Sequence, residues 1–268
     1  MWRPGGSITT ARLRSRSGPK RQTRAVFLAG RLLHLPRALS GQSGISIMSQ
    51  ADIASLKNNA DPARRLRLPI RNDSGIHLGD LQCIDRSMLD EPGLIGDLTA
   101  WRNQSMPFFL TQFTATEERT RSWLEGISLP AADRILFVIC DPDGNRLGNF
   151  GVCNIRPGAA EFDNVIRGRM SDIRNLMFHC GEALLEWMFS GLGAKTAELH
   201  VFSHNEKAIG LYNRLGFTST ESLPLRRTEE NGVVKYSVVD RSQANAGFDY
   251  LRMEFPVERF EDRIRRHF

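Results

Sequence analysis

Three observations predict a mixed α/β domain over residues 64–256. Short apolar runs of strand length alternate with segments whose apolar residues recur every three or four positions. One helical segment, residues 173–190, lies between two strand-like runs, the order expected of a parallel crossover. The turn sequence Asp141-Pro142-Asp143-Gly144 joins two further runs as a hairpin, because Pro and Gly suit the backbone angles of a tight turn.

Residues 65–71 alternate Leu66, Leu68 and Ile70 with basic residues, as a half-buried strand does, and Pro69 confines that strand to an edge or an end. Residues 91–104 can make a helix. Thr114 with Glu117 forms a capping box ahead of an apolar stripe of Trp123, Leu124 and Ile127. Residues 134–140 (RILFVIC) are a continuous apolar strand, 146–155 its hairpin partner, and Pro157-Gly158 the next turn, followed by a strand over 161–166. In 173–190, Ile173, Leu176, Met177, Cys180, Leu184, Trp187 and Met188 line one helix face that must lie on a sheet. Gly191 and Gly193 stop the helix, 196–202 (TAELHVF) is the next strand, and 205–215 a short helix ended by Gly216. Residues 217–221 and 248–255 are the last strands, joined by a long polar stretch that is functional or flexible.

Composition narrows the function. With 268 residues and 41% apolar content the chain can bury a large core, so collagen, disulfide scaffolds and wholesale disorder are excluded. The apolar stretch 25–39 is interrupted by Arg31, His34, Pro36 and Arg37 and is too short to span a bilayer. The expected location is the cytoplasm. Cys83, Cys140, Cys153 and Cys180 have neither metal-knuckle nor disulfide-framework spacing and are read as reduced structural thiols. No metal is expected.

The net charge of +6 is unevenly distributed. Nine basic residues and no acid precede Met48, leaving 27 basic against 30 acidic residues in the rest. The body is therefore mildly acidic, and no nucleic acid is expected to bind it. The leader, residues 1–47, is rich in Arg, Ser, Gly and Pro and is expected to be disordered. Three readings compete for it: upstream sequence with Met48 as the true initiator, which is favoured; an organelle transit segment; and a nucleic-acid-binding tail. Residues 257–268 read as a charged C-terminal tail.

Residues 199–217, LHVFSHNEKAIGLYNRLGF, carry the chemistry. A strand delivers the chain to Asn205; Asn205, Ala208 and Tyr212 then share one helix face before Gly216-Phe217 turns into the next strand. Here the sequence resembles the GNAT acyl-CoA N-acyltransferase superfamily, whose signature N-x-x-A-x-x-x-Y-x-x-x-G-F it matches at all five positions. The resemblance implies a GNAT-like, mostly antiparallel sheet with a central splayed parallel strand pair and helices on both faces. It also implies acetyl-CoA as cosubstrate and direct transfer to an amine in a ternary complex. The pantetheine arm would pair with the strand edge Glu161–Ile166 and be held by Asn205 beside Ala208, and a backbone N–H near Asn164, Val165 and Ile166 would meet the oxyanion. Tyr212 would protonate the departing thiolate, and Asp163 is the first choice of base, ahead of Glu161, His200 and His204. The family's glycine-rich diphosphate loop is replaced by Arg167-Gly168-Arg169-Met170-Ser171-Asp172-Ile173-Arg174, so Arg167, Arg169 and Arg174 would meet the phosphates by charge.

Trp101-Arg102-Asn103, followed by the Trp123-Leu124 helix, is similar to the ribosomal-protein-type and nucleotide-amino-sugar branches of that superfamily, and would border the acceptor pocket. The acceptor is then a primary amine of a small molecule, with an amino sugar, nucleotide-linked or not, as first expectation. Acetylation of a protein N-terminus and a non-catalytic acyl-CoA-binding module are the alternatives. Many such proteins pair, so a homodimer is a further expectation.

Overall fold

The computed structural model describes residues 47–265, so the leader, apart from Ile47, lies outside the described residues. Ten strands form one sheet: β1 (Arg67–Arg71), β2 (His77–Cys83), β3 (Thr111–Gln112), β4 (Ile135–Cys140), β5 (Arg146–Arg156), β6 (Ala159–Arg167), β7 (Thr196–Phe202), β8 (Thr218–Glu230), β9 (Val233–Val238) and β10 (Asp249–Pro256). Their order is β1-β2-β4-β5-β6-β7-β10-β8-β9-β3. Every pairing is antiparallel except β6 with β7. Among the described residues six α-helices accompany them: α1 (Gln50–Lys57), α2 (Leu94–Gln104), α3 (Glu117–Trp123), α4 (Leu176–Glu186), α5 (Glu206–Leu215) and α6 (Val257–Arg265). Among the described residues no helix is long and apolar enough to cross a membrane.

The sheet separates two cores. Side chains alternate across a strand, so on fully buried β4 Ile135, Phe137 and Ile139 enter one core while Leu136, Val138 and Cys140 enter the other. The first core holds Ile53 of α1, the apolar face of α4, Tyr212 and Leu215 of α5, with Phe260 of α6 packed against it. The second holds Leu94, Ile95, Leu98 and Trp101 of α2, with Trp123 of α3 at its margin. Helices therefore cover both faces.

Several local expectations change. Pro69 does sit on the edge strand, where its missing N–H interrupts no ladder. The cap of α3 is Thr116, not Thr114: its side chain accepts from the Arg119 backbone N–H. Helix α4 starts at Leu176 because Asn175 adopts φ 57, a left-handed conformation no helix can include. Most of the polar stretch after residue 221 is strand, since β8 and β9 form a long hairpin turned by Asn231 and Gly232, at φ 51 and 74. The folded body also exceeds 64–256 at both ends. Ile53 and Lys57 of α1 are fully buried, and within the charged C-terminal segment Val257–Arg265 is helical.

Candidate active site

The site is an opening in the sheet, and its cause lies on β6. The parallel ladder runs from Ala159 with Thr196 to Phe162 with Leu199 and stops there. Two residues on, Asn164 has φ 49, and the β5–β6 register slips between Asn149 and Gly151. This bulge inserts one residue, so side-chain alternation reverses across it. Phe162 enters the first core and Ile166 the second, although both numbers are even. The buried Asn149 amide donates to the Asn164 carbonyl at 2.6 Å and holds the bulge. Past it β6 and β7 diverge, opening a cleft of about 350 Å³.

Asn164, Val165, Ile166, Asn205, Ala208 and Tyr212 all line this cleft. Asn205 is the N-cap of α5, its side-chain oxygen accepting from the Ala208 N–H at 3.3 Å, so the cap fixes where the helix enters. Tyr212 comes from the first-core side and is 6% exposed. Its hydroxyl has no hydrogen-bond partner among the described residues. Burial pushes the phenol well above its ordinary value and the Asp163 charge adds to this, so it carries its proton at neutral pH. Tyr250 of β10 lines the same cleft and is shifted upward for the same first reason.

The acidic groups face the cleft from the opposite side of the sheet. Asp163 is raised by burial, against the opposing influence of Arg134 and of hydrogen bonds from Asn164. Glu161 is also desolvated, but hydrogen bonds from His200 and Asn154 outweigh that and hold it below the usual carboxylate range. Glu161 Oε1 lies 2.6 Å from His200 Nδ1, and the His200 ring stacks on Tyr250 at 5.1 Å. His204 is exposed, stacked among Phe108, Phe202 and Phe248.

At the far end of β6 the three arginines behave differently. Arg167 donates through Nη2 to the Ser171 carbonyl at 3.3 Å, while its Nε and the Ser171 hydroxyl are buried with no partner among the described residues. Arg169 is bound to Asp97 at 2.5 Å. Arg174 is exposed, without an ion pair or hydrogen bond to a described residue. Gly168 is required for space: a Cβ there would sit 2.1 Å from the Trp101 ring.

The Trp101-Arg102-Asn103 element divides. Trp101 is 2% exposed and packs under Gly168. Asn103 bridges the Ala115 backbone, accepting from its N–H at 2.8 Å and donating to its carbonyl at 3.0 Å. Only Arg102 lines the cleft, its guanidinium over the Phe113 ring at 4.1 Å and donating to the carbonyls of Phe113 and Thr111. Residues that sequence reading passes over also shape the site: Asn149 behind the bulge, Tyr250, Arg134 and the Phe109–Phe113 loop. The Phe-rich run before α3 was the available signal for the loop. The four cysteines are free and buried, and burial raises Cys140 to about 11 and Cys83 to about 12, so neither is a thiolate at neutral pH.

Residues 90–218 match the acetyltransferase (GNAT) domain family, and a domain of that family implies N-acetyltransferase activity. Among solved structures, a probable GNAT-family acetyltransferase from Chromobacterium violaceum aligns with TM-score 0.55 at 20% identity, covering 85% of this chain and 99% of that one. The spermidine N-acetyltransferase of Vibrio cholerae in complex with CoA and spermine aligns with TM-score 0.50 at 20% identity, covering 67% and 96%. At this identity both likenesses are of fold. No curated protein matches the sequence.

Proposed function

We propose that the protein transfers an acetyl group from acetyl-CoA directly to a primary amine of a small molecule. One observation carries the reading: the parallel ladder ends at Phe162 and Leu199, and a protonated Tyr212 without a hydrogen-bond partner among the described residues lines the cleft that opens there. The residues present fit the cosubstrate. Arg167 Nε and the Ser171 hydroxyl are buried donors lacking acceptors among the described residues near the start of α4, where a diphosphate would satisfy both and meet the helix dipole. Arg174 can add charge, whereas Arg169 is held by Asp97. Asn164, Val165 and Ile166 would flank the pantetheine arm on one side, and Asn205 and Ala208 on the other.

When bound, acetyl-CoA supplies the acetyl thioester. The chain's own groups then do three things. Backbone N–H groups of the diverging β6 segment meet the negative charge that develops on the carbonyl oxygen. Asp163, with an affinity for protons raised by burial, takes the proton the amine loses as the amide bond forms. Tyr212 gives its proton to the sulfur as the C–S bond breaks, and regains one from solvent. The buried, high-pKa cysteines are consistent with direct transfer.

A thiol-release assay with acetyl-CoA against amino acids, amino sugars, polyamines and short peptides tests this. Amine-dependent CoA release supports the reading. CoA binding with no release from any amine replaces it with a non-catalytic acyl-CoA module.

A further inference from the structure

A second cavity of about 460 Å³, in the range of small-molecule sites, lies between α2, α3 and the sheet. It shares Arg102, Phe109, Thr111, Asp163, Asn164 and Ile166 with the cleft, so the two are continuous around the bulge. Its walls are mostly apolar, including Leu98, Phe113, Trp123 and Leu136. The charged groups on it are Arg102, Arg119, Arg134 and a single carboxylate, Asp163.

These charges do not cancel. Arg102 is held by two carbonyls and two aromatic rings. Arg119 rests over Phe113 at 5.4 Å with no ion pair among the described residues. Arg134 has neither an ion pair nor a side-chain hydrogen bond among them, although its charge is felt at Asp163. A guanidinium beside apolar walls gains most from a carboxylate, which it can meet with two parallel hydrogen bonds. A polyamine would bring more positive charge to three arginines. A sugar would leave hydroxyls unpaired against Phe and Leu side chains.

Resting on the transferase reading above, the geometry points to an acceptor that carries a carboxylate beside its amine and an apolar body, the chemistry of a free hydrophobic or aromatic amino acid. Arg134 takes the carboxylate, the apolar walls take the side chain, and the amine faces Asp163 at the mouth of the cleft.

The test has two readouts on the full chain: fluorescence of Trp123 in the cavity wall, with Trp123→Phe as the control for signal origin, and thiol release from acetyl-CoA. The ligands are phenylalanine and leucine, their carboxamides, spermidine and glucosamine 6-phosphate, each with wild type and Arg134→Gln. The expected result is that each acid binds at least about tenfold more tightly than its carboxamide, the scale of one charge-assisted pair, and that Arg134→Gln removes the difference. Equal affinity for acid and carboxamide, a preference for spermidine or the sugar phosphate, or no fluorescence response to any ligand overturns the assignment. Carboxylate-dependent quenching without thiol release from any amine would retain the pocket and reject the transferase reading.

Discussion

Glu161 and His200 meet at 2.6 Å across the end of the parallel ladder, Glu161 one rung before its last pair and His200 one residue beyond it. The pair lines both the cleft and an open groove of about 640 Å³ that also holds Glu198, Glu221, Arg156 and Arg252. It therefore joins the wall of the cleft to a face open to solvent.

That contact makes a pH prediction. Burial raises Glu161, yet hydrogen bonds from His200 and Asn154 and the charges of His200 and Arg156 leave it below its ordinary value. A carboxylate depressed on folding adds stability above its unfolded pKa and loses that contribution as pH falls through the folded one. Glu161→Gln should cost about 1 kcal/mol at neutral pH, and the difference from wild type should vanish as pH falls below about 4. Urea melts of both proteins across that range measure it.

Asn149 should matter out of proportion to its size. It is 3% exposed and its amide holds the bulged Asn164 carbonyl. Asn149→Ala leaves that carbonyl without its donor, so stability should fall by about 1–3 kcal/mol and turnover with it. Asn149→Asp should not rescue, because a carboxylate cannot donate. Denaturant midpoints and kcat for the two variants decide this.

Gly168 tests the turn proposed to hold the diphosphate. A methyl group there would collide with the Trp101 ring. Gly168→Ala should destabilise by about 1–3 kcal/mol through overpacking and weaken CoA binding. Adding Trp101→Phe to that variant should recover part of both losses, read from thermal melts and CoA titration.

Lys57 supports the acceptor cavity from behind. Its ammonium donates to the carbonyls of Ser128, Ala131 and Arg134, and burial lowers its pKa to about 8. Lys57→Met orphans three carbonyls and should cost about 2–3 kcal/mol at neutral pH. Because the folded pKa is below the unfolded one, wild-type stability from this group rises between pH 8 and 10.5, and the gap to the variant should widen there.

Much of this was legible where physics is local. The period of α4, the strand-length run of β4 and the five-position signature ending in Gly216-Phe217 each fix an element from its own residues. The β8–β9 hairpin was not, although Asn231-Gly232 is a strong turn signal, because most side chains of β8 are exposed and polar and show no apolar alternation. Asn149 and Arg134 escaped for another reason: one acts on a bulge fifteen residues away in sequence, the other on a cavity built by a different helix layer. The Arg169–Asp97 contact joins residues 72 apart, a distance over which no sequence spacing signals a pair.

The most direct measurement compares Tyr212→Phe with wild type for acetyl-CoA affinity and for the rate of CoA release with a turned-over amine. The phenol has no hydrogen bond to lose among the described residues, so the fold and the Kd for acetyl-CoA should be unchanged while kcat falls about 100-fold or more. Wild-type kcat in the variant would contradict the account.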